Sequence, residues 1–470
     1  MKSKRAALWL ALGGLGGLMG GASLSPLSAA DSFVSEASYQ NVPAMSSADT
    51  LAPVGFFDGC GDGGCDECME CEPAIEPDCG CEMNCDCQCE EPCGCDTAYG
   101  CDSAGGCDDG GCGGALPGLF DCDLGDAFSL FGEAGGYTIG GWVQTGYHTA
   151  ALPLFNDRPD EYNLHQAWLY AEKSLDTSNG LDFGGRIDYL YGIDSGDTQA
   201  FGIDNDHWDN DWDNGAYGHA LPQVYGEVGY GDISVKIGHF YTIIGWEVVG
   251  APDNFFYSHA YTMYNSEPFT HTGALATAGI SDDLEVYGGY VLGWDSGFED
   301  NGDAFLGGAS LALSDDITLI YATVGGRFDD GDPGVENGYM HSIVTDVTVT
   351  DQLQYIFQSD LLETENVAGE TVRSTFGVNQ YLIYTVSDCL AFGGRFEWYS
   401  NEGVFDDGVN GIESDIYALT TGVNYKPHAN VIVRPEVRWD WVSTDSLTPA
   451  ILEDGDDSQF TFGMDTIFLF

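Results

Sequence analysis

The chain has 470 residues, with 13 Lys+Arg against 76 Asp+Glu and a net charge of -63. So acidic a chain repels a phosphate backbone, which excludes nucleic acid as a partner. A mean hydropathy of -0.12 is too low for a bundle of membrane helices, but not for a membrane β-barrel, where only alternate residues meet lipid.

Residues 1–30 read as a signal peptide. Lys2, Lys4 and Arg5 precede an apolar run from Ala6 to Met19, and Ser28-Ala29-Ala30 supplies small residues for cleavage. The competing reading is a short membrane anchor. No later stretch approaches the ~20 continuous apolar residues of a spanning helix. Residues 31–58 are Ser/Ala-rich and aperiodic, and read as a linker.

Residues 59–123 hold 15 of the 16 cysteines, set among Gly, Asp and Glu with almost no aliphatic side chain. Such a segment cannot form an apolar core. In an exported chain, disulfide cross-links or disorder are the first reading. Cys65-x-x-Cys68-x-x-Cys71 and Cys85-x-Cys87-x-Cys89 also have ligand-like spacing. Metal binding stays open, although no histidine is near and the spacing is irregular.

From about residue 135 to Phe470 the pattern becomes a ladder of alternating strands. Its marker is a repeated short turn: Ser281-Asp282-Asp283-Leu284, Ser314-Asp315-Asp316-Ile317, Thr350-Asp351-Gln352-Leu353, Ser387-Asp388-Cys389-Leu390 and Lys426-Pro427-His428-Ala429. Two earlier short turns fall at Asp176 to Gly180 and Gly229 to Gly231. Asp and Ser favour turns because their side chains hydrogen-bond the local backbone. Between the short turns lie longer Asp/Gly/Asn-rich loops. The pattern predicts sixteen strands at 137–149, 163–172, 181–191, 222–230, 232–241, 272–281, 284–294, 305–313, 316–327, 339–349, 352–361, 372–386, 389–400, 414–425, 429–442 and 458–470. The even number and the short-turn, long-loop alternation predict an all-β fold, a transmembrane antiparallel β-barrel with periplasmic turns and outer loops.

The last strand shows the reason most clearly. Phe460, Phe462, Met464, Phe468 and Phe470 share one face, broken only by Thr466, while Gln459, Thr461, Gly463 and Asp465 share the other. A final aromatic is also what barrel-assembly machinery is expected to recognise. A soluble β-sandwich or propeller alternates too. Against it stand the strand lengths, the near absence of charge on one face, and aromatics near strand ends at Trp142, Tyr147, Trp398, Trp439 and Trp441.

Three segments carry a family resemblance. They are Leu164-His165-Gln166-Ala167-Trp168-Leu169-Tyr170-Ala171-Glu172-Lys173, then Gly238-His239-Phe240-Tyr241 with Gly245 and Glu247, then Pro268-Phe269-Thr270-His271-Thr272-Gly273. Together with the Ser-Asp-Asp turns, residues 135–470 resemble the OmpL-like β-barrel porins. The resemblance implies an outer-membrane channel and says nothing of the Cys-rich segment.

A sixteen-strand barrel is wide enough for an aqueous lumen, so inward side chains decide what passes. Alternation places Arg434, Glu436, Arg438 and Asp440 inward on one strand, with Val431, Val433, Pro435, Val437, Trp439 and Trp441 facing lipid. By the same rule Arg395 and Glu397, Asp182, Arg186 and Asp188, and Glu227 and Lys236 point inward. A basic wall facing acids would set up a transverse field in the pore. The same residues could equally be cross-strand ion pairs that fill the interior.

The third outer loop, Thr242 to His271, differs from the acidic ones. It carries Ile243, Ile244, Trp246, Val248, Val249, Phe255, Phe256, Tyr257, Tyr261, Met263, Tyr264 and Phe269. So apolar a loop is expected to fold into the lumen as a constriction, with Glu247, Asp253 and Glu267 as its acids. Subunit contact or packing over the rim is the alternative.

The acidic stretches Asp204 to Asp213 and Glu299 to Asp303 read as solvated loops. A calcium hand started at Asp204 would need glycine at Asp209 and glutamate at Gly215. Cys389 reads as a lone thiol, and no catalytic, metal or cofactor set emerges. The resulting expectation is an outer-membrane porin conducting small hydrophilic solutes or ions, embedded in outer-membrane lipid, with a homotrimer open. The rival functions are a loop-closed barrel acting as an adhesin or structural protein, and a surface protein that sequesters metal through its cysteines.

Overall fold

Alternating side chains and Ser/Thr-Asp turns are realised as a closed antiparallel barrel in the computed structural model, which describes residues 124–470 except 135, 153, 201–207, 299–301, 330–335, 402–413, 445–451 and 453–455. The signal peptide, linker, Cys-rich segment and much of the two acidic stretches lie outside the described residues.

Sixteen strands form the wall. In chain order they are β1 Tyr137–His148, β2 Tyr162–Lys173, β3 Asp182–Gly192, β4 Val224–Tyr230, β5 Ile233–Tyr241, β6 Thr270–Ser281, β7 Leu284–Val291, β8 Asp303–Ser314, β9 Ile317–Asp329, β10 Glu336–Thr350, β11 Leu353–Asn366, β12 Thr371–Ser387, β13 Leu390–Asn401, β14 Ser414–His428, β15 Val431–Thr444 and β16 Ser458–Leu469. Tyr217–Ala220 extends the line of β4 above β3, and Glu133–Ala134 folds back on the start of β1. β16 pairs with β1 from Gly463↔His148 to Leu469↔Trp142, which closes the ring. Two backbone bonds of 3.0 Å between Gly141 and Phe470 finish the seam. Closure leaves no unpaired edge, the condition for a sheet in lipid.

The repeated turns work as their hydroxyls suggest. Asp283 N donates to Ser281 Oγ at 3.4 Å, Asp316 N to Ser314 Oγ at 3.3 Å, and Leu353 N to Thr350 Oγ1 at 3.1 Å. Gly231, at φ +58, supplies the left-handed residue of the β4–β5 turn. The fifth turn departs from its expected place. Strand β14 runs on through Pro427 to His428, with a register shift between Tyr425 and His428, so the turn is Ala429-Asn430. The bulge tolerates a proline that a regular ladder would not.

The wall is inverted relative to a soluble protein. Phe305, Leu382, Phe392 and Phe468 stand between 46% and 55% exposed, whereas Arg395, Arg434 and Arg438 are 0–1% exposed. Bare apolar side chains ring the outside, and charge is kept within. Trp142 is a correction to the aromatic-belt reading. It points inward and stacks on Trp168 with ring centroids 4.7 Å apart, because its strand parity, not its nearness to a strand end, sets its face.

Cys389 is a second correction: it is disulfide-bonded rather than a lone thiol. All other cysteines of the chain lie between residues 60 and 122, outside the described residues. Chain order hid this bond, because the ladder returns Cys389 beside the entry of the barrel. Lys426 N donates to Cys389 O at 2.8 Å, and the neighbouring turn residue Ala429 donates to Leu124 O at 2.9 Å.

Candidate functional site

The long connection between β5 and β6 folds into the barrel. Its only regular pieces are a short 3-10 turn at Ala251–Asp253 and α1, Tyr261–Ser266. With so little internal hydrogen bonding, its backbone must find partners elsewhere. The inner wall supplies them from strand positions two residues apart.

On β15, Arg434 holds Asp465 through Nε at 3.0 Å and Nη2 at 2.5 Å, and its Nη1 donates to the carbonyls of Ala251 and Asn254 at 2.8 and 2.6 Å. Glu436, two residues on, accepts the N–H groups of Tyr257 and Ser258 at 2.9 and 3.1 Å. Arg438 pairs with Asp440 at 2.8 Å and donates to His259 O at 2.5 Å. On β13, Arg395 Nη1 donates to Glu247 Oε1 at 2.5 Å and to Ser258 O at 2.7 Å. Glu397 accepts Tyr261 N and Thr262 N at 2.9 and 2.7 Å. It thereby caps the first turn of α1 from the wall on which the helix lies, where a carboxylate satisfies free amides and meets the positive helix end.

Apolar contacts complete the docking. Ile243 and Ile244 pack on Leu275, Leu306, Val324 and Met340, and Trp246 and Phe256 on Ile320, Val344, Ile356 and Ile383. On the opposite side, Gln166 of β2 accepts Ala251 N at 3.1 Å and donates to Val249 O at 2.8 Å. Tyr257 OH meets His165 Nε2 at 2.6 Å, and His165 Nδ1 meets Asp194 at 2.8 Å. The loop thus spans the lumen from β2 to β9–β15.

Burial acts to raise the Glu247 carboxyl, but the Arg395 guanidinium outweighs it and holds the group below the usual carboxylate range. Burial pushes His259 down to about 4 and Asp295 up to about 6. Asp295 accepts Phe269 N and Thr270 N at 2.6 and 2.8 Å, fastening the returning end of the loop.

The expected pore-lining residues fall into two groups. Arg395, Glu397, Arg434, Glu436, Arg438 and Asp440 lie on the inner wall but beneath the loop, spent on ion pairs and loop backbone rather than open to the lumen. Arg186, Glu227 and Lys236 lie on β3–β5 and stay partly exposed. Arg186 pairs with Glu172 at 3.1 Å and Asp188 at 2.7 Å. Lys236 sits over the Tyr225 ring at 4.4 Å. Of the loop acids, Glu247 and Glu267 are buried and Asp253 is half-buried. Gln358, Asp360 and Tyr381 went unremarked in the sequence, and Gln166 and Asp465 were noted there without a role as loop anchors. Each occupies an inward alternate position, the signal that could have found them.

Among the described residues no group of three metal-ligating side chains occurs. Two acids of the Asp204 stretch hold the backbone and a side chain of the residues that flank it. Asp209 accepts Ala200 N and Leu221 N at 2.9 and 2.7 Å, and Asp213 accepts Gln199 Nε2 at 2.9 Å.

No curated protein matches the chain. Solved structures of similar fold include OmpT of Vibrio cholerae folded in vitro, at 14% identity and TM-score 0.50, covering 73% of this chain and 100% of that one. Its trimer form aligns at 12% and 0.49, covering 72% and 100%. An anion-selective porin from Comamonas acidovorans aligns at 9% and 0.49, covering 71% and 99%. At these identities the likeness is one of fold. The family described as "Putative beta-barrel porin-2, OmpL-like" matches residues 136–470, the whole described barrel. The chain belongs to this OmpL-like family of outer-membrane β-barrel porins.

Proposed function

We propose that the barrel passes small hydrophilic solutes and ions by passive diffusion, and that the loop between β5 and β6 sets the width of the path. The inverted wall carries this reading: a lipid-facing exterior encloses charged and polar groups, and the periplasmic half of the lumen keeps Glu172, Arg186, Glu227, Lys236, Asp346 and Gln354 partly exposed. Residues 1–30 would direct export, and outer-membrane lipid would surround the barrel. With a chain charge of -63, the mouth should concentrate cations.

The wall also supports a homotrimer. β4, β5 and β7 have 7, 9 and 8 residues, against 15, 14 and 17 for β10–β12. The outward positions of β6–β8 include Ala274, Ala276, Ala278, Gly288, Gly307 and Ala309, with the Phe305 ring lying over Gly288 and Gly307, an apolar strip for a second copy.

The test is a planar-bilayer recording of the purified protein under a salt gradient. Stepwise conductance with a cation-selective reversal potential is expected. A folded barrel that gives no steps would sink the channel reading and favour a closed structural barrel. Anion selectivity would mean that Arg186 and Lys236 dominate the field.

A further inference from the structure

Most wall anchors of the loop set a carboxylate against a guanidinium or a backbone N–H. At the returning arm the pairing is different: Glu267 of the loop meets Asp360 of β11, acid against acid. Both are buried, at 4% and 0% exposure. One side chain serves both, since Gln358 Nε2 donates to Glu267 Oε1 at 2.5 Å and to Asp360 Oδ2 at 2.7 Å. The same Gln358 accepts Trp246 N at 3.2 Å through Oε1. The Glu267 carboxylate also lies on Gly245, where φ is +91 and a Cβ would come within 2.0 Å of Oε2. The outgoing and returning arms of the loop are therefore clasped at one point on the wall.

Two buried carboxyl groups in contact cannot both be ionised without a large cost. The surrounding charges do not relieve them. Glu247 is nearby but committed to Arg395 and Tyr381, at 2.5 and 3.1 Å, and His341 of β10 reaches Asp360 only through its field. Burial, then Asp360, holds the Glu267 carboxyl well above the usual carboxylate range.

We propose that Glu267 and Asp360 share one proton and act as a pH-operated latch, docking the constriction loop while the proton is held and loosening it when the proton is lost. The sign follows from where the proton sits. It belongs to the docked state, so docking is firm below the raised pKa and weakens as pH rises through it. The latch rests on the reading of the loop as the constriction.

The experiment is bilayer conductance of the full-length protein from about pH 5 to about pH 9, above ordinary carboxylates and below Tyr and Lys, a range in which Asp295, at about 6, also titrates and from which Glu267→Gln separates the latch. Conductance should rise with pH in the native protein. In Glu267→Gln the amide can still donate to Asp360, so conductance should stay at the low-pH level throughout, with loss of the pH response. An unchanged pH response in Glu267→Gln, or a conducting native channel with none, overturns the latch and leaves the channel standing. A folded barrel that conducts at no pH overturns both.

Discussion

Arg395→Met removes the central clasp of the loop. Arg395 is fully buried, and its guanidinium binds Glu247, the Ser258 carbonyl, Ser258 Oγ and Thr420 Oγ1 at 2.5, 2.7, 3.1 and 3.1 Å. Methionine keeps much of the packing against Phe256 but leaves the Glu247 carboxylate with only Ala260 N and Tyr381 OH. Breaking a buried ion pair by removing one partner costs about 3–5 kcal/mol. At about 1.4 kcal/mol per tenfold, docking of this stretch should weaken by roughly two to four orders of magnitude. The barrel ladder does not pass through this contact, so heat-resistant migration in detergent gels should persist. Single-channel recordings should show a larger, noisier current, and proteases should cut near residues 255–262 faster. Adding Glu247→Gln to Arg395→Met should recover part of the loss, because no buried charge is then left alone. Wild-type current and protease resistance in Arg395→Met would refute the argument, as would strictly additive losses in the double variant.

Three further outcomes are expected. Deleting residues 251–266 removes the Arg434, Glu436 and Glu397 contacts together, and should raise conductance in a barrel that still assembles; unchanged conductance would place the path elsewhere. Phe470→Asp puts a charge beside the seam, where the aromatic ring lies within 2.9 Å of a Cβ position on Gly141, and should lower the amount of assembled barrel in membranes; normal abundance would count against it. Peptide mapping without reductant should recover the Cys389 peptide joined to one from residues 60–122, and reduction should separate them; a free Cys389 thiol would refute that link.

Much of this protein is legible in its residues taken in order. A side-chain period of two, turns marked by Ser, Thr and Asp, and apolar faces without charge determine sixteen strands, their pairing of neighbours and the face each side chain takes. Those are local properties, which is why Arg395, Arg434 and Arg438 could be assigned inward without a structure. The apolar content of Thr242 to His271 likewise required burial, which the lumen, a subunit contact or the barrel rim could each have supplied. What those inward groups touch was not local. Arg395 and Glu247 are 148 residues apart, and Gln358 and Glu267 are 91 apart. Only closure of the ring brings such positions together. It turned inward groups that could be read either as a basic wall or as cross-strand ion pairs into a set of loop clasps, and set Cys389 beside the entry of the barrel. Sequence periodicity decides a face because one residue's geometry determines the next. It cannot decide a partner, because that depends on how far around the ring two strands come to lie and which loop fills the space between them.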